Sequence, residues 1–127
     1  MKKVIHIGMD VGSTTVKIVV MDEALNVIDT SYERHYSDTK NTVCKVLEKL
    51  AEKYKDNEFT IALTGSGAMS TARFLDVPFI QEVVACKRAV EKYIPKTDVV
   101  IELGGEDAKI IYFGKSIEQR MNGTCAG

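Results

Sequence analysis

Two short stretches of the chain contain the residue types that bind phosphate groups and metal ions. Residues 10–20 have the sequence DVGSTTVKIVV, and residues 102–112 have the sequence ELGGEDAKIIY. When the two stretches are aligned without a gap, Asp10 matches Glu102, Gly12 matches Gly104, Lys17 matches Lys109 and Ile18 matches Ile110. Each stretch follows a short β-branched strand and leads into another, so the same strand, turn and strand arrangement occurs twice. A duplicated turn of this kind is suited to closing on one ligand from both sides.

The residue types in these turns predict phosphate binding. Glycine lets backbone N–H groups approach an anion without a Cβ in the way, and hydroxyl groups add further donors. The residues that we assign to phosphate contacts are Gly12, Ser13, Thr14, Thr15, Lys17, Gly104, Gly105 and Lys109. The simpler alternative is a pair of ordinary hairpins with turn glycines and surface acids. Turn chemistry alone, however, does not require an acid, a glycine and a lysine at matching positions.

Four carboxylates in the two stretches are candidates for catalysis. Asp10 and Glu102 end the strands before the turns, where we expect them to hold a magnesium ion or its waters, because hard cations prefer oxygen ligands. Glu106 and Asp107 follow the glycines of the second stretch and are candidates to orient or deprotonate an attacking water. The sequence therefore predicts a catalytic set of these four acids, with Asp10 as the magnesium ligand.

Two widespread phosphate motifs fit the sequence less well. A P-loop needs a lysine directly after its second glycine, whereas Ser13 follows Gly12. Residues 64–70, TGSGAMS, follow a strand and open a helix as a dinucleotide fingerprint would. Ser70, however, stands in place of the third glycine, and Glu82 would have to serve as the ribose acid. We therefore interpret residues 64–70 as a simple strand-to-helix turn.

Strands and helices alternate along the chain as an α/β fold requires. Apolar and β-branched runs predict strands at residues 4–9, 16–21, 26–33, 59–63, 98–103, 107–113 and 116–122, with a short one near residues 79–80. Helical spacing predicts one helix from Ser37 or Asp38 to Tyr54, a short one ending near Leu75, and one over residues 82–94. We expect a first domain over residues 1–95 and the start of a second over residues 96–127.

Composition limits the class of protein. The chain has 127 residues, of which 45% are hydrophobic and 28% are charged, as in a soluble globular domain. No apolar run approaches the ~18 residues of a membrane-spanning helix, and Asp10 interrupts the N-terminal segment before a secretion signal could form. We therefore expect a cytoplasmic protein without a membrane partner. The 17 basic and 18 acidic residues give a net charge of -1, which argues against nucleic acid as a partner.

The paired sequences DVGSTTVK and ELGGEDAK resemble the two phosphate loops of the ATPase superfamily that includes actin, sugar kinases and heat-shock ATPases. The resemblance covers the whole chain. It is most specific in ELGGEDAK and in EQRMNGTCAG, residues 118–127, which are similar to the ATPase activators of 2-hydroxyacyl-CoA dehydratases and the ATPase subunits of benzoyl-CoA reductases. It implies a ribonuclease H-like α/β fold, a mixed sheet flanked by helices, followed by the opening strands of a second, duplicated domain.

The resemblance also implies cofactors and a partner. Family members are homodimers that hold one four-iron, four-sulfur cluster between subunits and use ATP with magnesium to deliver a low-potential electron to an acyl-CoA dehydratase or reductase. Carried onto this sequence, Cys125 is a cluster ligand, and a position before a helix N-terminus favours its thiolate. Cys44 and Cys86 lie on or beside apolar helix stripes and are interpreted as core residues. His6 and His35 have no companion at ligand spacing and are interpreted as structural.

Two positions depart from the usual pattern of the family. Glu102 stands where many members have aspartate, and Glu106 stands where the smaller activators have glutamine. Together with EQRMNGTCAG, these departures point to the long, multidomain activase-related proteins. The adenosine-binding half and a second cluster cysteine are not among the 127 residues. We therefore expect these residues alone to fold but to bind neither ATP tightly nor a stable cluster.

Three functions from different classes remain open at this point. The first is the N-terminal part of an ATP-dependent iron–sulfur activator. The second is a sugar or small-acid kinase of the same superfamily, in which Asp107 would activate a substrate hydroxyl and Cys125 would be incidental. The third is a catalytically silent binding domain with this fold.

Overall fold

The structure, a computed structural model, describes residues 2–104, 108–113 and 118–121, with the backbone alone at 118–121. Contacts divide the chain into two units, residues 1–80 and 81–127. The first unit contains β1 (Val4–Val11), β2 (Thr15–Met21), β3 (Val27–Arg34), α1 (Thr39–Lys53), β4 (Glu58–Thr64) and α2 (Met69–Leu75). The second contains α3 (Glu82–Tyr93), β5 (Val99–Leu103), β6 (Ala108–Tyr112) and β7 (Glu118–Met121). The strand predicted near residue 79 is a single parallel bridge between Leu63 and Phe79.

β1 lies inside the sheet of the first unit, with a strand on each side. Within residues 2–80 the strand order is β3-β2-β1-β4, and β1 is antiparallel to β2 and parallel to β4. A parallel neighbour requires a crossover connection, which α1 supplies between β3 and β4. The carboxyl end of β1 therefore meets two connections at one edge of the sheet: the β1–β2 turn and the β4–α2 turn.

Alternating side chains of β1 and β2 build the core of the first unit. The buried apolar residues are Ile5, Ile7, Met9 and Val11 of β1, Val16, Ile18 and Val20 of β2, Val43, Val46 and Leu50 of α1, and Leu63, Ala68 and Ala72 near α2. The intervening residues of β1 include Asp10, which is only partly buried. The core thus holds the strand that carries Asp10 while the carboxylate stays accessible.

The start of α1 differs from the sequence-based expectation. The sequence predicts a side-chain cap from Ser37 or Asp38, but Asp38 makes no capping hydrogen bond with its side chain. Its carboxylate accepts a hydrogen bond from the Asn41 side-chain amide at 2.9 Å. The Asp38 carbonyl accepts the first helical bond, from the Thr42 N–H at 3.1 Å. The helix therefore begins where predicted, without the predicted cap.

α3 is more exposed than its sequence pattern predicts. The pattern places Val83, Cys86, Val90 and Tyr93 on an apolar face, but no residue of α3 is buried, and Tyr93 is 57% exposed. α3 belongs to the second unit, residues 81–127. The assignment of domains to residues 1–95 and 96–127 stays a prediction. In the described part of the chain, no helix is both long and apolar enough to cross a bilayer.

An ion pair between β3 and α1 predicts how stability depends on pH. The Asp29 carboxylate accepts hydrogen bonds from Lys53 at 2.7 Å and from the Tyr54 hydroxyl at 3.0 Å. These bonds, that of Lys53 first, lower the pKa of Asp29 below its ordinary value of 3.8. Because the folded pKa is depressed, the stabilisation is complete above the unfolded pKa and is lost as the pH falls through the folded pKa.

We expect Asp29→Asn to lower the free energy of unfolding at neutral pH by less than about 1 kcal/mol, because the pair is close to the surface. The substitution should also flatten the loss of stability at pH values below 3.8, the ordinary pKa from which that of Asp29 is lowered. Urea unfolding at a series of pH values measures both effects. The same acid dependence in wild type and variant would contradict the pairing.

Candidate functional site

The first predicted phosphate turn is a tight loop between β1 and β2, and we call residues 12–15 the first turn. The Gly12 N–H donates to the Thr15 carbonyl at 2.9 Å and closes the loop. Thr15 is buried, whereas Ser13 and Thr14 are exposed at the tip. The sequence correctly predicts a turn here, and the structure places the hydroxyls of Ser13 and Thr14 in solvent.

The tip of the first turn offers unpaired backbone donors. Within residues 2–104 and the shorter described segments, the N–H groups of Ser13 and Thr14 have no acceptor at hydrogen-bond distance. The Gly12 and Thr14 carbonyls are already occupied, since Gly12 accepts from the His35 ring and Thr14 accepts from the His35 N–H, each at 3.0 Å. Free N–H groups beside occupied carbonyls give the tip the partial positive charge that attracts an anion.

Asp10 and Lys17 lie side by side at the base of the first turn. They are opposite each other in the β1–β2 register, and Lys17 Nζ is 3.2 Å from a carboxylate oxygen of Asp10. Their side chains are 39% exposed for Asp10 and 44% for Lys17. Ion pairs in water contribute little to stability. A ligand can therefore separate these two charges at a small free-energy cost.

The β4–α2 turn, residues 64–67, packs against the first turn and is absent from the sequence-based site. The Gly67 N–H donates to the Val11 carbonyl at 2.8 Å. Gly65 has a φ of 109°, and a Cβ there would overlap the Val11 carbonyl oxygen and lie 2.5 Å from Asp10 Oδ1. A residue with a side chain therefore does not fit at Gly65. The two glycines of TGSG are the sequence feature that could have indicated this contact. They also fit an ordinary strand-to-helix turn, which is how we interpret them from the sequence alone.

The residues beside Asp10 suit magnesium better than a metal with only protein ligands. No cluster of three or more His, Cys, Asp or Glu side chains able to hold a metal occurs among the residues that the structure describes. The register partner of Asp10 on β4 is Thr64, and its hydroxyl oxygen is buried without a hydrogen-bond partner in that same part of the chain. Magnesium keeps several waters and needs few protein ligands, so one carboxylate and one unpartnered hydroxyl fit it.

β5 and β6 repeat the arrangement of β1 and β2. Glu102 lies opposite Lys109 in this antiparallel pair, as Asp10 lies opposite Lys17 in the other. The sequence alignment of the two stretches therefore corresponds to equal register in two hairpins. Lys109 is 6% exposed and forms an ion pair with Glu82 at the start of α3, an interaction that the repeat does not predict.

Several predicted site residues fall outside the described part of the chain: Gly105, Glu106, Asp107 and Cys125. Their roles stay predictions, as does the closing of both turns on one ligand. The two other cysteines, Cys44 and Cys86, are free and partly buried. Burial raises the pKa of the Cys86 thiol above its ordinary value of 9.0, and the Glu102 carboxylate adds to the effect. This environment disfavours the thiolate that a metal or cluster requires.

Comparison with known proteins identifies relatives of this chain. It is 29% identical over 126 residues to the (R)-2-hydroxyglutaryl-CoA dehydratase activating ATPase of Acidaminococcus fermentans, covering 94% of this chain and 47% of that protein. The crystal structure of component A of the (R)-2-hydroxyglutaryl-CoA dehydratase of the same organism superposes with a TM-score of 0.79 at 21% identity, covering 98% of this chain and 49% of that one. The chain thus spans about half the length of these relatives.

A second solved structure is that of the activator of the 2-hydroxyisocaproyl-CoA dehydratase from Clostridium difficile with bound ADPNP. It has a TM-score of 0.71 and 25% identity, and the match covers 91% of this chain and 45% of that one. These similarities confirm the predicted α/β fold of the actin-like ATPases. The family model described as BadF/BadG/BcrA/BcrD ATPase family matches residues 7–127. The chain therefore belongs to the BadF/BadG/BcrA/BcrD ATPase family.

Proposed function

We propose that the protein containing this chain is an ATP-dependent activator that couples ATP hydrolysis to low-potential electron transfer into an acyl-CoA dehydratase or reductase. The observation that carries the proposal is the first turn, where two unpaired N–H groups and two exposed hydroxyls adjoin the separable Asp10–Lys17 pair. Membership of an ATPase family supports it, as do a relative named a dehydratase activating ATPase and an activator solved with ADPNP.

The first turn would bind the phosphates of ATP. The N–H and hydroxyl groups of Ser13 and Thr14 donate to phosphate oxygens, and Lys17 neutralises part of their charge. A Cβ at Gly12 would approach the Thr15 carbonyl oxygen no closer than 3.7 Å. The protein itself therefore leaves room for a side chain at Gly12, and the glycine serves the approach of the ligand.

Asp10 would hold magnesium or its waters, with the Thr64 hydroxyl beside it. When bound, the ion supplies neutralisation of the phosphate charge that develops during hydrolysis. Gly65 contributes by allowing the β4–α2 turn to lie against Asp10, which limits the positions of the carboxylate. A carboxylate in a fixed position favours octahedral magnesium, because this ion tolerates little distortion of its ligand geometry.

We assign the second stretch to the same nucleotide because it resembles the second phosphate loop of the family. We assign Glu102 to the magnesium waters, Gly104 and Gly105 to backbone contacts, and Glu106 and Asp107 to the attacking water. Lys109 would donate to a phosphate oxygen.

The electron-transfer part of the proposal rests on the resemblance of EQRMNGTCAG to the cluster-binding segment of the family. Cys125 would be one thiolate ligand of a four-iron, four-sulfur cluster between the subunits of a homodimer. Such a cluster carries a single electron at a potential set by its ligands and surroundings. ATP hydrolysis at the two turns would drive the rearrangement that delivers this electron to the dehydratase or reductase.

Anaerobic purification of the full-length gene product tests the proposal. We expect magnesium-dependent ATP hydrolysis and about four irons per dimer. Cys125→Ser should remove the iron while ATP still binds, because the thiolate and the phosphate turns are separate ligand sets. A colourless protein that transfers phosphate to a sugar or small acid would instead identify a kinase. A protein without nucleotide turnover in either state would identify a binding domain.

A further inference from the structure

His35 makes two hydrogen bonds to the first turn. It lies between β3 and α1, is only 5% exposed, and makes several hydrogen bonds. Its ring Nε2 lies 3.0 Å from the Gly12 carbonyl, and its backbone N–H donates to the Thr14 carbonyl at 3.0 Å. Two of the four residues of the first turn are thus bound to this one histidine. A buried histidine needs partners for both ring nitrogens, and here one of these partners is the first turn.

The hydrogen bonds of His35 define its tautomer. The Ser37 N–H donates to Nδ1 at 3.1 Å, so Nδ1 carries no proton. In the neutral ring the proton is then on Nε2, where it is donated to the Gly12 carbonyl, which can only accept. The two ring nitrogens therefore do different work: Nδ1 fixes the ring to its own loop, and Nε2 fixes the first turn to the ring.

The backbone that follows His35 is strained where Ser37 bonds to the His35 ring. The Asp38 N–H donates to the His35 carbonyl at 2.7 Å and closes a four-residue turn. Its central residues, Tyr36 and Ser37, have φ values of 47° and 63°. Positive φ at both central positions favours glycine, asparagine or aspartate. Tyr36 is 79% exposed, so burial of its ring does not offset the strain, and it is in this conformation that the Ser37 N–H bonds to Nδ1.

We propose that His35 is a positioning residue that fixes the first turn for phosphate binding. The inference rests on the proposed function, because the turn is assigned to nucleotide phosphates there. By occupying the Gly12 and Thr14 carbonyls, His35 keeps two acceptors out of contact with an anion at the tip. The N–H groups of Ser13 and Thr14 then remain as donors, and the turn needs no rearrangement when a phosphate arrives.

Two substitutions separate the roles of the ring nitrogens. Glutamine places an amide N–H near the position of Nε2 and can still donate to Gly12. Asparagine is shorter, keeps an acceptor near the position of Nδ1 for Ser37, and does not reach Gly12. His6→Asn is the matched control, because His6 contacts Thr60 at 2.6 Å and no residue of the first turn.

Two measurements on the full-length gene product test the proposal. Without nucleotide, we expect His35→Asn to raise hydrogen exchange of the Gly12 N–H by about tenfold, while His35→Gln and His6→Asn stay close to wild type. With magnesium-ATP, His35→Asn should weaken binding by about tenfold, and His35→Gln should restore it.

The outcomes distinguish this inference from the proposed function. If exchange follows the predicted order but even wild type binds no nucleotide, His35 does hold the turn and the proposed function is wrong. If wild type binds ATP but glutamine and asparagine behave alike in both measurements, His35 is not a positioning residue. Folding of the glutamine variant where the asparagine variant fails would also support the contact to Gly12. Failure of both to fold would overturn the inference.

Discussion

Gly65→Ala is expected to destabilise the protein by at least about 3 kcal/mol, because it combines backbone strain with a steric overlap. Gly65 has a φ of 109°, a conformation that residues with a side chain rarely adopt. The added methyl group would overlap the Val11 carbonyl oxygen and press on Asp10. Both neighbours belong to the central strand of the sheet, so neither can move without loosening the core. Urea unfolding of wild type and variant measures the difference.

Gly8→Ala is the control for this experiment. Gly8 lies on the same strand as Asp10, but an added Cβ would meet no atom within 4 Å. We expect this variant to stay within about 1 kcal/mol of wild type, since no strain or overlap arises. If Gly65→Ala were as mild as Gly8→Ala, the contact between the β4–α2 turn and β1 would be wrong.

Asp10→Asn is expected to reduce magnesium-dependent ATP hydrolysis of the full-length gene product by about 100-fold or more, because it removes the anionic ligand that we assign to the metal. Folding should be nearly unaffected. Asparagine has the shape of aspartate, and the lost pair with Lys17 is partly solvent-exposed. Steady-state hydrolysis at saturating magnesium, with urea unfolding in parallel, separates the two effects.

Asp29→Asn is the matched control for this activity measurement. Asp29 is also an ion-paired aspartate of the same sheet, but its partners are Lys53 and Tyr54 rather than a residue at the first turn. It should change stability slightly and leave hydrolysis unchanged. If Asp10→Asn hydrolysed ATP at the wild-type rate, our assignment of the first turn to the phosphates of ATP would be wrong.

The register of the two hairpins is predictable from sequence for a simple reason. Apolar and polar residues alternate along the two strands of each hairpin, and a short turn joins the strands. Only one register then places the apolar residues of both strands on the same face. Aligning DVGSTTVK with ELGGEDAK therefore also aligns the cross-strand pairs Asp10–Lys17 and Glu102–Lys109. The lysines differ in their ion pairs, because Glu82 enters from α3, an element that the repeat does not include.

The parts of the site that sequence reasoning misses depend on contacts between distant residues. A glycine pair such as Gly65 and Gly67 looks the same in any strand-to-helix turn. Glycine is necessary at Gly65 because of its φ of 109° and the close approach of β1, and neither can be predicted from the motif. The missing cap at α1 has a different, local cause. The Asp38 carboxylate accepts a hydrogen bond from the Asn41 side chain instead of from a backbone N–H of the first turn of the helix.

The parallel pairing of β1 with β4 has a consequence for the order of folding. Short turns join β1 to β2 and β2 to β3, whereas paired residues of β1 and β4, such as His6 and Thr60, are 54 positions apart. Closing so long a loop is entropically unfavourable and slow, so we expect the β1–β2–β3 meander to form first and β4 to dock late. Asp10 acquires its neighbours Thr64 and Gly65 only in that last step. A ligand at Asp10 would therefore recognise the finished fold, and its binding would slow unfolding without accelerating folding.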